Sequence, residues 1–185
     1  MLLNFRVIFL VVFLYCSSCF AAAQHCKGVL PNSLVDIFQK NFHDYRLIEY
    51  EDYRDDELAS EYMSHVKSKC ITRKKINNRK GFWYAFLAEN KKTKEVHGFV
   101  VIKKKDWKFV NAWPSTNKGR SCCFVGLLPP GFYERSESID GDDVETGELL
   151  SFRSRDSGVI IGTIGAGGKA FFLNGNSLIH IYISD

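Results

Sequence analysis

The tightest constraint on this chain is a change of texture after Cys70. Short runs of aromatic and β-branched residues begin there, and each is bounded by turn residues. Phe82–Leu87, Gly98–Ile102 and Trp107–Asn111 form one group; Val159–Ile164, Ala170–Leu173 and Ser177–Ile183 form another. Runs of this length and composition predict strands. The polar stretch Asn90–Glu95 reads as a hairpin loop, and Asn174-Gly175-Asn176 supplies the positive-φ residues of a tight turn. Between the two groups, from Pro114 to about Gly147, the sequence is richer in Gly and Pro and suggests no regular element.

Upstream of Cys70 the period changes to that of a helix. Asn32 or Ser33 can cap a helix whose apolar face is Leu34, Val35, Ile37, Phe38 and Phe42, with Pro31 just before it. A second helix is predicted from Asp55 to Lys67. Acids fill its first turn, lysines its last, and Leu58, Tyr62, Met63 and Val66 line one side. The expected fold class is therefore α+β, with two N-terminal helices packed on a mostly antiparallel β-sheet. Residues 24–185 are expected to form one domain, long enough to bury a core.

The first 23 residues read as a cleavable signal: Arg6 before an apolar run from Val7 to Tyr15, then Ala21-Ala22-Ala23. An alternative is lipidation at Cys19, which would tether the same domain to a membrane. The expected location is the periplasm or the exterior. Export also changes the reading of the cysteines. Cys16 and Cys19 leave with the signal, and Cys26, Cys70, Cys122 and Cys123 become candidates for disulfides. Joining Cys122 to Cys123 would need a strained ring, so each is expected to bond to one of Cys26 and Cys70. Zinc ligation is disfavoured because paired C-x₂₋₄-C spacing with His partners is missing.

Formal charge is mild, +4 for the whole chain, but it is segregated. Glu49–Glu61 is acid-rich, Lys67–Lys80 is basic without an acid, and Lys103, Lys104, Lys105 and Lys108 follow. Such blocks form solvated faces or, in the sharper reading, steer an acidic partner. Nucleic acid is not an expected partner for a mildly basic exported protein.

The helix Leu34–Phe42, the acidic segment up to Cys70, the aromatic run Trp83–Leu87 and the closing Ala170–Asp185 resemble small exported Gram-negative proteins with an FG-GAP-like loop. The function of those proteins is poorly defined. The relatives carry an acidic D-x-D-G turn suited to calcium, where this chain has Ile76-Asn77-Asn78-Arg79-Lys80-Gly81. No metal site is carried over. Some such proteins lie beside secreted toxins, which implies an immunity or inhibitor role.

Catalytic patterns are weak. Gly162–Lys169 resembles a phosphate loop, but its spacing is one residue too long, Ala170 replaces the Ser/Thr, and a strand follows. If any metal binds, the ligands are Asp140, Asp142, Asp143 and Glu145, although the EF-hand order is missing. The five histidines (His25, His43, His65, His97 and His180) are scattered. No cofactor is expected. The leading expectation is a non-enzymatic binding protein, an inhibitor or immunity-type protein acting on a secreted enzyme. Its partner-binding candidates are Arg79, Lys80, Trp83, Tyr84, Trp107, Trp113 and Phe132, since aromatic and Arg side chains anchor interfaces. The alternatives are an envelope-acting hydrolase using the 140–145 carboxylates with a His, and a structural envelope module.

Overall fold

A computed structural model of the chain describes residues 26, 28–53, 70–78, 81–103, 105–118, 123–136, 148–174 and 177–183. One helix, α1 (Asn32–Asn41), precedes the short strand β1 (Tyr45–Leu47) and a 3₁₀ turn at Tyr50–Tyr53. Ten strands follow: β2 (Arg73–Asn78), β3 (Gly81–Asn90), β4 (Glu95–Lys103), β5 (Trp107–Lys118), β6 (Cys123–Leu128), β7 (Gly131–Glu134), β8 (Ser151–Ser154), β9 (Gly158–Thr163), β10 (Gly167–Asn174) and β11 (Ser177–Ile183). They form three antiparallel assemblies. The first sheet runs β1-β3-β4-β5, with β2 sharing the β1 edge of β3; the second runs β11-β10-β9-β6; β7 and β8 make a hairpin.

This corrects the expected fold class. The described residues are mostly β-sheet with a single short helix, not two N-terminal helices on one sheet. The segment predicted as the second helix, Asp55–Lys67, lies outside the described residues, as do the signal-like residues 1–23. The strand content exceeds the expectation because β1 is only three residues long, β2 is polar in sequence, and β6 and β7 lie in the stretch assigned no structure.

The layers follow from side-chain alternation along the strands. Trp83, Ala85 and Leu87 of β3 point into the space between the two sheets, where they meet Val100, Phe124, Val159, Ile161 and Phe171. Tyr84, Phe86 and Ala88 point the other way, onto Leu34 and Phe38 of α1. Phe38 packs edge-on against Phe86 and Phe99, with centroids 4.9 and 5.1 Å away. The outer side of the second sheet (Ala170, Phe172 and Ile181) is covered by Tyr133 and Phe152 of the β7–β8 hairpin. The order is therefore helix, sheet, sheet, hairpin. Along one side the sheets are stitched together: Val125 N–H donates to the Ile71 carbonyl at 2.7 Å, and Leu87 N–H donates to that of Thr72 at 2.8 Å.

Glycine is required where the backbones come closest. Gly162 and Gly168 are cross-strand partners in the β9–β10 hairpin, and a Cβ on either would overlap the opposite backbone. The glycine-rich run that imitates a phosphate loop is thus a close strand crossing. Its Lys169 is buried, with Nζ 4.6 Å from the Tyr182 ring centre.

The disulfide expectation is also corrected. Cys26 bonds directly to Cys70, their Cα atoms 5.3 Å apart. Neither can then pair with Cys122 or Cys123. Cys123 is buried on β6, where its carbonyl accepts the Tyr53 hydroxyl at 2.8 Å, and Cys122 lies outside the described residues. The lysine Lys74, only 5% exposed, alternates with Ile76 toward the inter-sheet space. Burial pushes its ammonium pKa down to about 8.

Candidate functional site

Because β2, β3, β4 and β5 run antiparallel in succession, the β2–β3 and β4–β5 connections lie at the same end of the first sheet. The pairs Asn78↔Gly81 and Lys103↔Trp107 mark that end. Arg79 and Lys80, which link Asn78 to Gly81 in the chain, lie outside the described residues.

On the helix side of the sheet this end carries rings and cations together. Lys75 Nζ lies 3.9 Å from the centre of the Phe82 ring, and Lys103 Nζ lies 5.0 Å from that of Trp107. Tyr84 meets Trp107 edge-on at 5.8 Å. Phe82 is 51% exposed, whereas Tyr84 is 5% exposed and its hydroxyl pKa is raised by burial. Lys75, Lys103 and Lys105 are all exposed. None of these three lysines has an ion pair among the described residues. An ammonium held over a ring face keeps its charge and remains accessible to an anion.

The sequence-predicted residues divide clearly. Trp107 belongs to this surface, and Tyr84 is buried against it. Trp83 does not: it is fully buried between the sheets, where its indole N–H has no hydrogen-bond partner among the described residues. Trp113 is half-buried at the side of the sandwich where β5 faces β11, 6.4 Å from the Tyr182 ring, and its indole N–H is likewise unpartnered among the described residues. Phe132 is 51% exposed but lies on the far layer, with the Arg153 guanidinium 5.4 Å from its ring centre. The sequence reading missed Phe82, Lys75 and Lys103. The signal for Phe82 was its place one residue before Trp83, which puts the two on opposite faces of the strand.

The acidic loop Asp140, Asp142, Asp143 and Glu145 lies outside the described residues, as do His25 and His65. Among the described residues no cluster of three His, Cys, Asp or Glu side chains could hold a metal. His180 packs against the Phe171 and Tyr182 rings, at 5.9 and 6.2 Å, on the face opposite Ile179 and Ile181.

At the other end of the same sheet the charges are matched. Arg46 donates to both carboxylate oxygens of Asp52, at 3.0 and 3.2 Å, and to Glu89 at 3.3 Å. Burial alone would lower the Arg46 pKa, but the hydrogen bonds and charges of Asp52 and Glu89 outweigh it, and the net shift is upward. Arg73 donates to Glu49 at 2.6 Å, and Lys94 lies 3.6 Å from Glu89. Compared with protein-family models, curated proteins and solved structures, the chain matches none.

Proposed function

We propose that this is an exported, non-enzymatic binding protein, an inhibitor or immunity-type protein that docks the basic, aromatic end of its first sheet onto an acidic surface of a secreted enzyme. The observation that carries this reading is the pairing of Lys75 with Phe82 and of Lys103 with Trp107 on one sheet face, neither lysine having an ion pair among the described residues. The lysines would speed encounter by long-range attraction, and the rings would supply the apolar contact that holds the complex. Arg79 and Lys80, from the adjoining connection, would add to the same field.

The test is affinity capture from the organism's own envelope and secreted fractions, using wild-type protein and the double variant Lys75→Glu/Lys103→Glu as baits. The expected result is one enzyme retained by the wild type, its activity reduced in the complex, and lost from the variant by more than tenfold. A bait at micromolar concentration that retains no protein, or a partner held equally by both baits, refutes the proposal.

A further inference from the structure

Strand β1 lies at the edge of the first sheet, paired on one side only with β3. Its register is Arg46↔Glu89; Lys91 N–H donates to the Asp44 carbonyl at 2.8 Å, and Ile48 N–H donates to that of Leu87 at 3.2 Å. In an antiparallel ladder, alternate residues turn their backbone groups toward the partner strand. Asp44, Arg46 and Ile48 therefore face β3, while Tyr45 and Leu47 face away from it. The Tyr45 N–H is taken by the Phe42 carbonyl at 2.9 Å. The Tyr45 carbonyl and both backbone groups of Leu47 are turned outward, with no backbone partner among the described residues.

An open groove of about 470 Å³ borders Tyr45, Arg46 and Leu47 together. Three consecutive strand residues cannot share one face, so the groove follows the strand edge. Val35 of α1 also lines it. The charged groups around it are unevenly committed. The Glu49 carboxylate is engaged by Arg73. Arg46 uses three of its five N–H donors, and Lys91 Nζ donates once, to the His43 carbonyl at 2.6 Å. Among the described residues Lys91 is thus the lining cation with no carboxylate partner, beside the outward backbone groups of Tyr45 and Leu47.

We infer that this groove binds an extended peptide segment bearing a carboxylate, which adds to β1 as a new edge strand. Its main chain pairs with Leu47 and Tyr45, its carboxylate meets Lys91, and its apolar side chains rest against Val35 and Leu47. Strand addition of this kind takes affinity from the main chain and selectivity from the flanking side chains. The site is separate from the basic, aromatic end and does not depend on it.

The test uses the full chain and a fluorescein-labelled pentapeptide, Val-Glu-Val-Thr-Val, followed by anisotropy. Saturable binding is expected, weakened about tenfold by N-methylation of alternate peptide amides, which removes two pairing hydrogen bonds at about threefold each. Replacing the peptide Glu by Gln, with the carboxy terminus amidated, is expected to weaken binding several-fold. Lys91→Gln should weaken the acidic peptide but not the neutral one. The double variant Lys75→Glu/Lys103→Glu should bind as the wild type does. No saturation by about 1 mM, where binding free energy falls to about 4 kcal/mol, overturns the inference. Equal affinity for the N-methylated peptide, or loss of binding in the Lys75/Lys103 variant, overturns it as well.

Discussion

The two ends of the first sheet use positive charge in opposite ways. Near the Asn90–Glu95 turn, Arg46, Arg73, Lys92 and Lys94 each lie within 4 Å of a carboxylate, and Glu89 and Asp52 are largely buried beneath Arg46. At the opposite end, Lys75 and Lys103 rest on Phe82 and Trp107. The first arrangement spends cations on holding the fold together, because a buried carboxylate without a partner is costly. The second leaves charge at the surface, where it contributes little to stability and can act on another molecule. Residue type alone does not distinguish the two; the presence of an acid on the neighbouring strand does.

The contrast can be broken most sharply at Arg46. Arg46→Ala leaves Glu89, whose side chain is 2% exposed, without its principal counter-ion. It is expected to destabilise the protein by about 3 kcal/mol, read as a lower urea midpoint at unchanged slope. Loss of less than about 1 kcal/mol would show that this end is no more structural than the other.

Lys74 is a third case, a lysine only 5% exposed whose charge is desolvated by burial. Its folded pKa, about 8, lies below the ordinary 10.5. Below pH 8 both folded and unfolded chains carry the charge, so the folded state bears the full desolvation cost. Between 8 and 10.5 the unfolded chain holds the extra proton, and stability rises with pH. Wild-type stability should therefore rise between pH 8 and 10.5, and Lys74→Met should lack that rise, read as urea midpoints across this range. A pH-independent difference between the two proteins would contradict this.

The smallest effects belong to the open end. Lys75→Ala and Lys103→Ala should each cost only about 0.5–1 kcal/mol, the scale of an exposed cation–ring contact. Lys92→Ala, which removes an exposed pair with Asp44, should cost about the same or less. Thermal melts in low and high salt separate the cases, since screening weakens the Lys92 pair more than the packing of a lysine stem on a ring.

Much of the second half of the fold was legible. The aromatic and β-branched runs from Phe82 to Asn111 and from Val159 to Ile183 coincide with strands β3, β4, β5, β9, β10 and β11. Helix α1 was legible from Leu34 and Phe38, the two residues it buries. Strand β2 was not. Arg73-Lys74-Lys75-Ile76-Asn77-Asn78 has one apolar residue in six and reads as a solvated basic run. It becomes a strand because β3 requires a partner along that edge, and tertiary pairing overrides local preference. Strand β6 was hidden by its neighbours: Cys123, Phe124 and Val125 are all buried, but the surrounding Gly and Pro residues conceal the run. The candidate surface was half legible. Rings and lysines stood out by composition, yet only the register shows that Trp83 faces inward while Phe82 and Tyr84 face the helix side.

The Cys26–Cys70 bond spans 44 positions and encloses α1, β1 and the 3₁₀ turn. In the chain-entropy treatment, closing a loop of this size removes about 4 kcal/mol of freedom from the unfolded state. The helix layer is thus a strap buckled by one bond, with one end before α1 and the other at the entry to β2. Reduction would release the buckle while leaving the hydrogen bonds between the strands of both sheets in place. Among the described residues, the helix layer is then the part whose hold depends on the redox state of its surroundings.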